Sequence, residues 1–221
     1  MAALRILALS TLFVAAGYAG WSAMAPSRSA DHLNLVRDGS QDPVVLRIGS
    51  VGLRVPPAYL SKREDIVGGL TRELQLSMDT RTFGPPPQVE PLAPGEPEAM
   101  PDVIYLTLTA PDPAVEPADR MARLYGRFLE SDAGASVEGL ERRRFEAGSP
   151  YEAEDLFFTP PEGRLFAARC LRTKESQPPG QCIADMRILG LDVRVRFARR
   201  HLEHWDRLAT GVIERVGGMV R

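Results

Sequence analysis

The residues of this chain whose types and spacing could do chemistry are two cysteines, a pair of neighbouring histidines and one dense group of acids. Cys170 and Cys182 are the only cysteines in 221 residues, and a polar loop containing Pro178-Pro179-Gly180 separates them. Structural zinc asks for four ligands and a C-x₂₋₄-C spacing, and neither is present. A redox pair is normally C-x-x-C at a helix start, where the thiolate is stabilised, and this pair is not. A disulfide or two buried thiols remain. Alternation favours the disulfide. Phe166, Ala168 and Cys170 share one strand face, and Cys182, Ala184, Met186 and Ile188 share another. Both cysteines therefore fall at the loop ends of two strands that would pair as a hairpin, which is where a disulfide can form.

His201 and His204 stand at i and i+3 on an expected helix and are weak candidates for a shared metal, with Glu203 or Asp206 as possible co-ligands. The HExxH pattern of zinc proteases is absent, and His201 lies at the edge of the apolar arc while His204 points away from it. A solvated first turn is the simpler account, so no metal or other cofactor is assigned. Glu152, Glu154 and Asp155 could act as acid and base if a fold set their carboxyls at the right separation. Neighbouring acids at a strand start also serve as partners for local arginines. The basic stretches are Arg142-Arg143-Arg144, Arg194/Arg196 and Arg199/Arg200. They suit an anionic headgroup or an acidic partner, or simply form the wet side of a half-buried sheet. Nucleophile-elbow, phosphate-loop and dinucleotide motifs do not occur, so no catalytic residue is assigned.

The elements that must position these residues follow from pattern. Ile6 to Ala25 runs without a charge, close to the length of a bilayer-spanning helix. Ala23-Met24-Ala25 also offers a small-x-small cleavage site, but Pro26 directly after it favours an uncleaved anchor. Residues 26–43 read as a polar tether. Val44 to Tyr59 predicts two short strands around Gly49-Ser50-Val51-Gly52, a hairpin closed by Pro56-Pro57, and Glu73 to Met78 a weaker further strand. Residues 84–101 hold seven prolines and two glycines and read as a loop. Asp102 to Ala110 is the strongest strand, apolar on both faces and so expected to be central. Met121, Leu124, Tyr125, Phe128 and Leu129 follow helical spacing after Pro117. From Leu140 a series of short strands predicts a meander, closed by a helix over 199–216. That helix gathers Leu202, Trp205, Leu208, Ala209, Val212, Ile213 and Val216 on one face. Tyr59, Tyr151, Phe157 and Phe158 flank turns, either as a partner patch or as lids of the core.

The expected fold is α+β: a mostly antiparallel sheet, with the meander in its C-terminal half, two amphipathic helices and a preceding membrane-spanning or signal helix. The expected organisation is an anchor over 1–25, a tether over 26–43 and a single domain over 44–221. A net charge of −2 argues against nucleic acid as a partner. Arginine outnumbers lysine 25 to 2, so an arginine cluster weighs less here than in a balanced composition. An apolar leader and a disulfide both indicate an exported chain. The expected location is the inner membrane, single-pass, with the C-terminal domain in the periplasm, or the periplasm itself if the leader is removed. The reading that fits is a non-catalytic binding or accessory module of the bacterial cell envelope. Its expected partners are the membrane, through the N-terminal helix, and another envelope protein. Two alternatives stay open: a periplasmic hydrolase using the acids or histidines, and an anchored immunity or inhibitor protein.

Overall fold

A computed structural model describes residues 42–87, 102–172 and 181–221. The apolar leader, the tether through residue 41, most of the proline-rich loop and the centre of the cysteine loop lie outside those residues. The chain divides into two units, and the described residues belong to the second, Gln41–Arg221. Among them, no helix is long and apolar enough to cross a membrane.

The first hairpin forms as its pattern predicts. Strands β1 (Val44–Ile48) and β2 (Val51–Val55) pair antiparallel, and Gly49 takes the left-handed conformation that the two-residue turn requires. Strand β3 (Gly69–Thr71) then joins β1 in parallel, a pairing no local pattern announces. These three strands make a small sheet of order β2-β1-β3.

The larger sheet has eight strands: β4 (Glu73–Asp79), β5 (Val103–Thr109), β6 (Leu129–Ala133), β7 (Glu141–Phe145), β8 (Glu154–Phe158), β9 (Ala167–Leu171), β10 (Gln181–Ile188) and β11 (Leu191–Ala198). Their order, β4-β5-β11-β10-β9-β8-β7-β6, contains the expected meander from β7 to β11, with β6 added beside β7 and the β4–β5 hairpin beside β11. All of its pairings are antiparallel. Strand β5 is interior but second from the edge. Ile104, Leu106 and Leu108 are buried, whereas Tyr105 on its other face is half exposed.

Two covers bury the two faces unequally. One face, carrying Leu74, Leu76, Leu106, Leu108, Val193, Val195 and Ala184, packs against the small sheet and the helix α1 (Trp205–Gly217) in the main core. Leu202, Leu208, Ala209, Val212 and Val216 supply the helical side of that core, as the apolar arc predicts. Ile213, at the rim of that arc, is half exposed instead. Residues Arg199–His204 form a 3₁₀ segment before α1, so the apolar face enters with a tighter phase than a continuous α-helix would give.

The opposite face carries a smaller core of Tyr125, Phe145, Leu156 and Phe158. Its cover is the segment expected as an amphipathic helix, here built from short turns: 3₁₀ at Pro117–Asp119, a π turn at Met121–Tyr125 and 3₁₀ at Gly126–Phe128. Met121, Leu124, Phe128 and Leu129 still pack onto that core. The periodicity identified the core-facing residues, of which Tyr125 is buried and the rest partly so, but Gly126 weakens a continuous α-helix and Leu129 already belongs to β6. Of the turn-flanking aromatics, Tyr59, Phe157 and Phe158 are buried, so they belong to the core rather than to a surface patch.

Gly211 on α1 faces the ring of Phe83, and a Cβ there would stand 2.3 Å from the ring. Phe83 has little freedom to withdraw, because its carbonyl accepts a hydrogen bond from Tyr59 Oη at 3.3 Å and its own φ is +52°. Alanine for glycine inside a helix ordinarily stabilises by about 1 kcal/mol. Here G211A is expected to destabilise by about 1–3 kcal/mol through overpacking, read as a lowered midpoint in chemical or thermal unfolding.

Candidate functional site

The register of the meander decides where the chemistry-bearing residues stand. Cys170 lies opposite Cys182, with a Cα separation of 4.0 Å, and their sulfurs are bonded. Both are fully buried. Asp155 on β8 pairs with Cys170 on its other side, and Arg144 on β7 pairs with Asp155. Arg144, Asp155, Cys170, Cys182 and Phe197 thus form one row across five strands, on the face of the main core.

A carboxylate at that position must be charge-compensated, because Asp155 is 0% exposed. Arg142 supplies the closest pair: Nε donates to Oδ2 at 3.0 Å and Nη2 lies 2.7 Å from the same oxygen. Arg199 Nη2 stands 3.5 Å from Oδ2, and its guanidinium lies over the Phe157 ring at 4.8 Å. Arg172 Nε is 3.7 Å from Oδ1. Three guanidinium groups from β7, the end of β9 and the segment before α1 therefore converge on one buried acid.

The other acids of the group go elsewhere. Glu154 points to the opposite face, where it pairs with Arg169. Arg169 lies over Tyr151 and Tyr125, with its guanidinium carbon 4.9 and 5.5 Å from the two ring centroids. Burial works against the Arg169 charge, but Tyr125 and Glu154 outweigh it and hold the pKa above the ordinary arginine value. Glu152 accepts a hydrogen bond from the Gly148 amide at 2.8 Å and, with Glu130, Phe145 and Arg172, lines an open cleft of about 390 Å³. The three neighbouring acids thus serve three separate environments: alternation on β8 sends Glu154 and Asp155 to opposite faces, and Glu152 stands in the turn before the strand.

The histidines also separate. His201 Nε2 lies 2.8 Å from Asp102 Oδ1, an oxygen that also pairs with Arg200. His204 is exposed at the start of α1. Among the described residues, no group of three His, Cys, Asp or Glu side chains is placed to share a metal ion. Asp102 was not singled out by its sequence context, and a lone acid at a strand start carries no local signal of this role. Arg194 pairs with Asp185 at 2.9 Å, Arg120 pairs with the same acid, and Arg196 is exposed.

A second concavity, of about 550 Å³, opens between the small sheet and α1 and is lined by Arg54, Tyr59, Phe83, Glu214, Arg215 and Met219.

No protein-family model and no curated protein matches this chain. Two solved structures match this chain. One is an immunity protein of the Stenotrophomonas maltophilia type IV secretion system, at 14% identity and a TM-score of 0.57, over 82% of this chain and 94% of that one. The other is the iron-regulated outer membrane lipoprotein FrpD of Neisseria meningitidis, at 12% identity and a TM-score of 0.46, over 81% and 92%.

Two predictions follow from these contacts. Replacing both cysteines by alanine, or reducing the bond, should cost about 3 kcal/mol on the chain-entropy account, measured by urea denaturation with and without reductant. Partial burial tends to raise the Asp102 carboxyl, but hydrogen bonds from Arg200 and His201 outweigh it and hold the pKa below the ordinary value. A depressed carboxyl contributes stability that is complete above the unfolded value, about 3.9, and is lost as pH falls through the folded value. Stability measured from pH 6 downward should therefore show a weaker acid-side loss in D102N than in the unmodified protein.

Proposed function

We propose that this chain is an exported, N-terminally anchored binding protein of the bacterial cell envelope, of the accessory or immunity kind. It acts by covering a protein partner. Its apolar leader holds it in the inner membrane, and residues 44–221 work in the periplasm. The buried cystine supports the oxidising compartment, because such a bond persists there. The engagement of Glu154, Asp155 and His201 by internal partners favours binding over the hydrolase alternative.

The observation that carries the reading is the β3 edge of the small sheet. Free strand edges invite pairing with other chains, and proteins usually cover or charge them. This chain covers two of its own. The β2 edge is closed by the C-terminus, where Arg54 N donates to Met219 O at 2.8 Å and Arg221 N donates to Gly52 O at 3.0 Å. The β4 edge is met by Leu60 and by Ser61 N, which donates to Gln75 O at 3.0 Å. Strand β3 has no pairing on its outer side among the described residues, and its sequence Gly-Leu-Thr holds neither a charge nor a proline. Leu70 on that strand is 83% exposed, Val67 just before it 76%, and Val45 on the neighbouring β1 54%. An apolar, uncovered edge of this kind is a docking surface for a protein partner.

The test is co-purification after mild detergent extraction from native cells. A partner present in stoichiometric amount should be lost in L70D, whose own melting temperature should hardly change because Leu70 is exposed. A solitary monomer under every extraction condition would overturn the reading.

A further inference from the structure

Among the described residues, the arginine cluster around Asp155 carries more charge than one carboxylate balances. Arg142 alone satisfies Oδ2 through Nε and Nη2. Arg199 and Arg172 stand at 3.5 and 3.7 Å, drawn by charge but beyond good hydrogen-bonding distance. Among the described residues, Arg172 Nε is buried without a hydrogen-bond partner, and so is Asp155 Oδ1, 3.7 Å from it. Three positive charges against one negative leave an excess of two, on side chains only 26–36% exposed. Arg144, exposed and in register with Asp155 on the same face, adds a further cation at the rim. Glu130 and Glu152 share the neighbouring cleft with Arg172, but neither is within ion-pair distance of the three guanidiniums.

We infer that this cluster is a binding site for a doubly charged oxyanion of the phosphate-monoester class. Two negative charges bring the sum to zero. Guanidinium forks match the oxygens of such a group, and their charge-assisted hydrogen bonds are the strong ones. The cluster is also pre-organised. Asp155 holds Arg142, the Phe157 ring supports Arg199, and the Arg172 amide just past β9 donates to Ala153 O at 2.9 Å, so little freedom is lost on binding. The site does not depend on the β3 docking edge, which is built from other elements.

Inorganic phosphate, titrated into the full chain in detergent by calorimetry, is the direct probe. One saturable site per chain is expected. R199Q should weaken it about tenfold or more, since a hydrogen bond to a charged group contributes about 1.5–3 kcal/mol. R144Q, at the exposed rim, should weaken it less, and R196Q, on the opposite face, should leave it unchanged. Phosphatidylcholine vesicles with and without phosphatidic acid distinguish the source. Tighter binding to the phosphatidic acid vesicles, abolished by R199Q, assigns the oxyanion to a lipid headgroup, and binding of free phosphate alone assigns it to a soluble ligand. Absence of saturable binding to either probe would overturn the inference, as would equal weakening by R196Q and R199Q.

Discussion

A buried carboxylate has to be answered by fixed positive charge, and at one end of the large sheet that requirement organises everything around it. Asp155 is beside the Cys170–Cys182 pair and draws in arginines from three separate parts of the chain. A one-residue slip of β8 would turn Asp155 to the other face and bring Glu154 and Leu156 to this one. The register would then place Leu156 against the disulfide and leave three guanidiniums without their anion. Breaking a buried pair is far more costly than never forming it, so the cluster specifies the register more strongly than it stabilises the fold. The cystine acts on the same strands, through the chain's entropy rather than through charge.

The rest of the molecule follows from how two faces of one sheet are shielded. The main core takes the small sheet and α1, whose apolar arc lies in the same cluster as β5, β11 and β10. The second core is aromatic, and the Arg169 guanidinium lies over the rings of Tyr125 and Tyr151 while pairing with Glu154. Cations over aromatic faces hold such a cover in place without a regular helix. The π and 3₁₀ turns of residues 117–128 can therefore do the work that an amphipathic α-helix would otherwise do.

Function on this scaffold rests on what the covers leave open. Two strand edges are closed by the chain's own backbone; among the described residues β3 and β6 are not, and of these only β3 is free of charge. The candidate acids and histidine are largely drawn into internal pairs, which turns attention from reacting groups to surfaces and charge. A fold of this kind is shared with an immunity protein of a bacterial secretion system. Folds host many functions, so the surfaces of this chain, the β3 edge and the arginine cluster, carry the functional argument.

Much of the architecture was legible in the sequence. Period-two patterns located β7 to β11 and the face of each cysteine, because one-sided burial forces alternation on a strand. The apolar arc of the last helix named its buried residues, except at the rim where Ile213 stands in solvent. Short elements were not legible. Strand β3 is three residues long with two glycines' worth of turn before Leu70, and β6 reads Leu-Glu-Ser-Asp-Ala, so neither carries a period. Pairing partners, not local preference, make them strands. Above all, spacing along the chain could nominate Glu152, Glu154 and Asp155 but could not separate them. Only tertiary structure sent each to its own environment, and only it brought Arg142, Arg172 and Arg199 together, because long-range convergence of charge leaves no periodic mark in a sequence.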